Sequence, residues 1–225
     1  AVGAEASAAT TRKVPSEYPT IQAGIDAAVD GDTVLVADGT YTGLGNRDID
    51  VTKDITIKSE NGPQTTVIDV QGGPGTPPHW GFHFAHGEGG VLEGFTIRNA
   101  FAVYGGAVAC QMNTVVRGNV FEDNYVTGGG GAISGNEGAL IANNIFRRNR
   151  ASRGGAIIFS DCSGPVRVEG NLFEENHAEL FGGAIAVDNF HIFLDELKLS
   201  NNTLIKNTAG TSGGGIHSSG SWIWI

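Results

Sequence analysis

FEDNYVTGGGGAI (Phe121 to Ile133), FRRNRASRGGAI (Phe146 to Ile157) and FEENHAELFGGAI (Phe173 to Ile185) are three copies of one unit. Each has a Phe, an Asn three positions on, a variable stretch, and then two glycines before an Ala and an Ile. A degenerate copy precedes them, TIRNAFAVYGGAV (Thr96 to Val108), and another follows, LIKNTAGTSGGGI (Leu204 to Ile216). The anchoring residues Asn99, Asn124, Asn149, Asn176 and Asn207 recur at a spacing of 25 residues that stretches to 31 at the end. A fixed period of this size is the mark of a solenoid, in which each unit buries its apolar face only by stacking on its neighbours.

Aligned on those asparagines, the copies assign a role to each column. Three positions before the Asn stand Thr96, Phe121, Phe146, Phe173 and Leu204; eight before stand Val91, Val116, Ile141, Val168 and Leu199. Both columns read as core stacks. Five before stand Gly94, Asn119, Asn144, Asn171 and Asn202, so two Asn ladders are expected, with amides bonded from coil to coil at the turns. One before the Asn run Arg98, Asp123, Arg148, Glu175 and Lys206, and two before run Ile97, Glu122, Arg147, Glu174 and Ile205. Charges that alternate from rung to rung are a favourable cross-strand pairing, so Arg147 and Arg148 read as surface ladder residues rather than catalytic ones.

Upstream of the repeats, PTIQAGIDAAVDGD carries Ile21, Ile25, Ala28 and Val29 on one helical face, Thr20 as N-cap and Asp30-Gly31 as a stop. A single amphipathic helix over about residues 20–29 is expected to cap the first coil. TVLVA, DITIKS and TVIDV read as strands, DGTY as a turn, and QGGPGTPPHW as a loop. Residues 1–13 lack periodicity and are expected to form a flexible arm. The β-helix then spans 14–225, with repeats over about 91–216. Beyond Ile216, Trp224 falls where the next core residue is expected, which suggests a fragment of a longer chain, or an edge available for end-to-end or C-terminal self-association.

Composition narrows the function. Gly is 35 of 225 residues, far above the usual share of about 7%. Those glycines follow the repeat and Pro is only 7, so collagen and low-complexity disorder are both excluded. A net charge of −10 argues against nucleic acid and anionic membrane as partners. No apolar run is long enough for a transmembrane helix. The opening AVGAEASAAT shows no signal-peptide pattern, so an extracellular or cell-surface location is expected from architecture alone. Cys110 and Cys162 lie two repeats apart, about 9–10 Å at the sheet spacing. That is beyond the roughly 7 Å a disulfide tolerates, so two free thiols are expected.

The cap segment TIQAGIDAAVDGDTVLVADGTY with DITIKSENGPQTTVIDV resembles the first coils of right-handed parallel β-helix proteins of the pectin-lyase-like class. The FxxN and GGAI units resemble the repeats of chlamydial polymorphic outer membrane proteins, which are autotransported adhesins. The resemblance covers nearly everything from residue 14 onward. It implies an all-β, single right-handed parallel β-helix of roughly seven or eight coils, and a polysaccharide or cell-surface glycan as partner. Activity does not follow from it, because lyases, hydrolases, epimerases and adhesins share this architecture. His86-Gly87 is a lone HG, and no paired Asp-Asp motif of a polygalacturonase is present.

The residue after each anchoring Asn runs Ala100, Tyr125, Arg150, His177, Thr208. Tyr125, Arg150 and His177 on three consecutive rungs would suit β-elimination or epimerisation of a uronate, Arg neutralising the carboxylate while His and Tyr serve as base and acid. The alternative is that they are variable turn residues. Phe101, Tyr104, Arg153 and Phe181 share that turn, and with His191 they are candidate sugar-binding groups. Coils lengthen around Asp161 to Pro165 and Asp188 to Glu196. Asp188, Asp195 and Glu196 there are candidates for a Ca²⁺ site. His79, His83 and His86 have a spacing suited to a helix, but their segment is β-patterned and no metal site is expected.

Overall fold

The computed structural model describes residues 8–85, 89–160, 162, 164–188 and 197–219, with the backbone of 223–224. The chain winds into a solenoid in which every pairing between named strands is parallel. Four sheets run along it. Face A has nine strands, beginning with Thr11–Val14 and Thr33–Val36. Face B has seven, from Gly39–Tyr41 to Thr203–Ile205, and face D has seven, from Ile49–Val51 to Ile216–Ser219. Face C has five and starts only at Phe101–Tyr104. A full coil therefore runs A, B, C, D, and the solenoid makes about six turns, slightly fewer than the seven or eight coils expected.

The core columns lie as expected with one shift. Phe121, Phe146 and Phe173 stack with ring centroids 5.0 and 4.8 Å apart and nearly parallel planes, and Leu204 follows in register. At the upper end Phe121 pairs with Ile97, not Thr96, and Val116 pairs with Leu92, not Val91. The first repeat is one residue shorter than the alignment assumed. Packing decided this, since Ile97 and Leu92 are fully buried apolar side chains and Thr96 is a poorer filler.

The shift removes Asn99 from its expected ladder. The Asn124 side chain instead accepts from the Ala100 N–H at 3.0 Å, and the Asn119 side chain from Phe95 at 2.9 Å. Below them the ladders are continuous: Asn124, Asn149, Asn176 and Asn207 in one, and Asn119, Asn144, Asn171 and Asn202 in the other. Each amide also donates back to a carbonyl of the preceding coil, as Asn149 does to Phe121 at 2.9 Å. Asn99 takes the left-handed position just before the ladder (φ 57°), which Asp123, Arg148, Glu175 and Lys206 occupy on later coils. The charge columns move likewise, to Asp69–Arg98–Glu122–Arg147–Glu174 and Asp123–Arg148–Glu175–Lys206. Alternation survives, with Arg98 to Asp69 at 3.1 Å, Arg148 to Asp123 at 2.8 Å and Arg147 Nε to Glu122 at 2.7 Å. The surface role expected of Arg147 and Arg148 stands.

The double glycine makes the corner between faces C and D. Gly154 has φ +58°, left-handed backbone that side chains adopt only at a cost. Gly155 has no room for a Cβ, because the carbonyl of Gly183 on the next coil occupies that space. The Ala that follows points into the core and is fully buried at 107, 132, 156 and 184.

Four expectations are corrected at the ends. Thr11–Val14 is not part of a flexible arm but a strand paired residue for residue with Thr33–Val36. Asp32 holds it there, accepting from the Thr10 N–H at 2.7 Å and from Arg12 at 3.1 Å. The cap helix is shorter than expected, Ile21–Ala27, with Thr20 as N-cap; Ala28 is extended and Val29 is 51% exposed. Gly39–Tyr41 within DGTY is a strand of face B rather than a turn. At the C-terminal end, Ile223 pairs with Leu197 and Trp224 with Lys198, so the backbone register of Trp224 differs from the one expected. Cys110 and Cys162 are buried and form no disulfide, as expected.

Candidate functional site

Face C turns one row of side chains inward and the next outward. Its inward row, Ala102, Val126 and Ala151, is a small apolar cluster of its own. The outward row runs Phe101, Tyr125, Arg150, His177 and Thr208 in register. The structure thus brings Tyr125, Arg150 and His177 onto consecutive rungs, with Phe101 rather than Ala100 ahead of them. Phe101 and Tyr125 pack with tilted rings 5.6 Å apart, and the Arg150 guanidinium lies 5.7 Å from the Tyr125 centroid. Arg150 also reaches Glu179 at 3.3 Å, and His177 Nδ1 contacts Thr208 Oγ1 at 2.9 Å. The contacts thus fall into two groups, Phe101–Tyr125–Arg150 and His177–Thr208, joined by backbone register between Arg150 and His177.

A second outward row, Tyr104, Gly129, Arg153 and Phe181, borders the corner with face D. Across the corner, face D presents Ala109, Ser134, Ile158, Ala186 and His217 in register, then Ser160, Asp188 and Ser219. Between the two faces lies a cavity of about 470 Å³ lined by Tyr104, Ser134, Ser152, Arg153, Ser160 and Asp188. It exists because the row has a glycine at its second rung, so nothing projects between Tyr104 and Arg153. A smaller cavity of about 230 Å³ continues it past Tyr104 to Trp80 and His83. A third, about 280 Å³, continues it past Arg153 and Asp188 to Phe181, His217 and Ser219. Tyr104 belongs to two of these, and so do Arg153 and Asp188. Together they form one groove across six coils of face D, roughly 24 Å at the strand spacing. Tyr125, Arg150 and His177 do not line these three cavities.

The groove's polar groups are tied to one another. Arg153 Nη1 donates to Asp188 Oδ2 at 3.0 Å, and Ser219 Oγ donates to Asp188 Oδ1 at 3.2 Å. The Arg153 guanidinium also sits 6.0 Å from the Phe181 centroid, and Phe181 stacks on His217 at 4.7 Å. Asp188 therefore has a defined partner, the cation of Arg153. The other two Ca²⁺ candidates, Asp195 and Glu196, and the sugar-binding candidate His191, lie outside the described residues. His79 and His83 each face a carboxylate, Asp48 at 2.7 Å and Asp50 at 3.1 Å, while His86 lies outside the described residues. Among the described residues no group of three or more metal-binding side chains converges.

Sequence reasoning named Phe101, Tyr104, Arg153 and Phe181 for this turn, and three of the four line the groove. It missed His217, Ser134 and Ser160, all on the far side of the corner. The signal was available one step past the repeat: Ser134, Ile158, Ala186 and His217 follow directly on the terminal Ile of each GGAI-type unit.

A family model described as the right handed beta helix region matches residues 55–223, most of the chain. The protein belongs to this family, and its solenoid is a right-handed parallel β-helix. No curated protein and no solved structure matches the chain.

Proposed function

We propose that this chain is a glycan-binding β-helix, working outside the cell or at its surface, and that the groove between faces C and D holds an extended polysaccharide. One observation carries the reading: three cavities join end to end through shared residues, long enough for several sugar rings. Aromatic side chains recur along that line at Trp80, Tyr104 and Phe181 with His217, the flat apolar surfaces that sugar rings stack on. Serine hydroxyls and the Arg153–Asp188 pair supply the hydrogen-bond donors and acceptors between them.

Affinity electrophoresis on a panel of soluble polysaccharides tests it. Tyr104→Ala and Phe181→Ala should each weaken retention by about three- to tenfold, the scale of one lost aromatic contact. Retention unchanged in the double variant would move the site elsewhere, and no retention at all would favour an adhesin-type structural passenger.

A second reading, a lyase or epimerase acting on uronate glycans, is favoured by one specific fact. Tyr125, Arg150 and His177 do stand on consecutive rungs. Absorbance of unsaturated products from pectate, alginate and glycosaminoglycans would reveal it. Activity unaffected by Tyr125→Phe and His177→Ala would remove those residues from any such mechanism.

A further inference from the structure

We infer that Asp188 sets the charge class of the ligand, making this groove selective for neutral glycans over uronate-containing ones. The inference rests on the glycan-groove reading and narrows it. Among the described residues lining the three joined cavities, Arg153 is the one Lys or Arg side chain and Asp188 the one carboxylate. The two are bonded at 3.0 Å. Asp188 is the more enclosed partner, its side chain 14% exposed against 49% for Arg153, and Ser219 fixes its other oxygen. The carboxylate is thus held in place while the guanidinium extends into the groove.

An Arg that binds a sugar carboxylate does so best as an uncompensated cation with its fork of donors open. Here a uronate would have to displace Asp188 or bind beside it, and two carboxylates on one guanidinium repel. The neighbouring cation on the same face, Arg150, is likewise bonded to a carboxylate, Glu179, so it supplies no spare positive charge. The chain as a whole carries −10 and repels polyanions at low salt. A neutral sugar meets none of these obstacles. Its hydroxyls can accept from Arg153, donate to Asp188, and exchange bonds with Ser134, Ser152 and Ser160 around the central cavity.

The test is a charge swap that keeps shape. Asp188→Asn retains the size of the side chain and one acceptor oxygen while releasing the Arg153 cation. Wild type and variant are run through gels containing a neutral β-glucan or galactomannan, and in parallel gels containing polygalacturonate or alginate. Wild type should be retarded by a neutral polymer and not by either uronate. Asp188→Asn should gain about tenfold in uronate affinity, the equivalent of about 1.4 kcal/mol and a modest charge-assisted bond. That gain should fade as salt is raised and disappear in Asp188→Asn/Arg153→Gln. Arg153→Gln alone reads the same property without altering Asp188, and should bind uronates no better than wild type. Wild type that prefers polygalacturonate to every neutral polymer overturns the inference, as does a folded Asp188→Asn that gains nothing on uronates; in both cases the groove itself stands. If neither polymer class retards any variant, the glycan-groove reading falls and this inference falls with it.

Discussion

Replacing Asn149 by Ala tests the principle that holds the coils in register. Asn149 is fully buried, and its amide joins three coils. Its oxygen accepts from the Asn124 N–H at 3.2 Å and from the Asn124 amide at 3.0 Å; its nitrogen donates to the Phe121 carbonyl at 2.9 Å and to Asn176 at 3.0 Å. Truncation orphans the buried Asn124 N–H, at a cost of about 1–3 kcal/mol, and the bonds lost by the Asn124 amide and the Phe121 carbonyl cost about 0.5–1.5 kcal/mol each. The expected loss is about 4 kcal/mol, at the upper end for single substitutions and a large share of a typical domain's stability. Asn99 is the informative control, because the sequence aligns it with Asn149 while the structure does not. It makes one side-chain bond, to Asp69 at 3.0 Å, and its φ of 57° suits glycine, so Asn99→Gly should change stability by less than about 1 kcal/mol. Urea denaturation followed by far-ultraviolet circular dichroism measures both. Equal losses at the two positions, or an Asn149→Ala loss under about 1 kcal/mol, would refute the ladder argument.

Other perturbations separate the remaining forces. Gly155→Ala should prevent soluble expression, since its Cβ would meet the next coil's backbone at both Gly183 and His177, the latter at 2.7 Å, whereas Gly73→Ala, with open space around it, should be tolerated. Burial pushes the Cys110 thiol up to about 12, so it should resist a thiol reagent in the native protein at pH 8, and both cysteines should titrate after denaturation without reductant. The Thr10 N–H first, then the Val29 N–H and Arg12, hold the Asp32 carboxyl below its usual range. A carboxyl lowered in the folded state stabilises above its unfolded value, about 3.9, and that stability is lost as pH falls through the lower folded value. Asp32→Asn should therefore melt below wild type at pH 7, with the difference shrinking below about pH 4; a difference independent of pH would refute the linkage.

Much of this molecule was legible in its sequence because a solenoid repeats its physics. Every coil must place an aromatic, an aliphatic and an amide at equivalent points of the same cross-section, so equivalent residues recur at a near-constant spacing. That is why the Phe stack, the two ladders from Asn119 and Asn124 onward, and the Tyr125–Arg150–His177 column came out in their true register. The alignment failed at the first repeat, where Thr96-Ile97-Arg98-Asn99 offers two plausible registers one residue apart. Only the burial of Ile97 and Leu92 chooses between them. The arm failed for a different reason: TRKV is too short and polar to declare itself a strand, and becomes one because Asp32 and an open sheet edge receive it.

The candidate site divides along the same line. Periodicity along the chain determined which side chains share a row, since a row joins equivalent points of successive coils. Which row faces which other row was decided by the tertiary structure alone, because that depends on the angle at which faces C and D meet over the double glycine. Arg153 and Asp188 are 35 residues apart, in different columns of different coils. No repeat relates them, and only the corner that folds one face against the other brings their charges together.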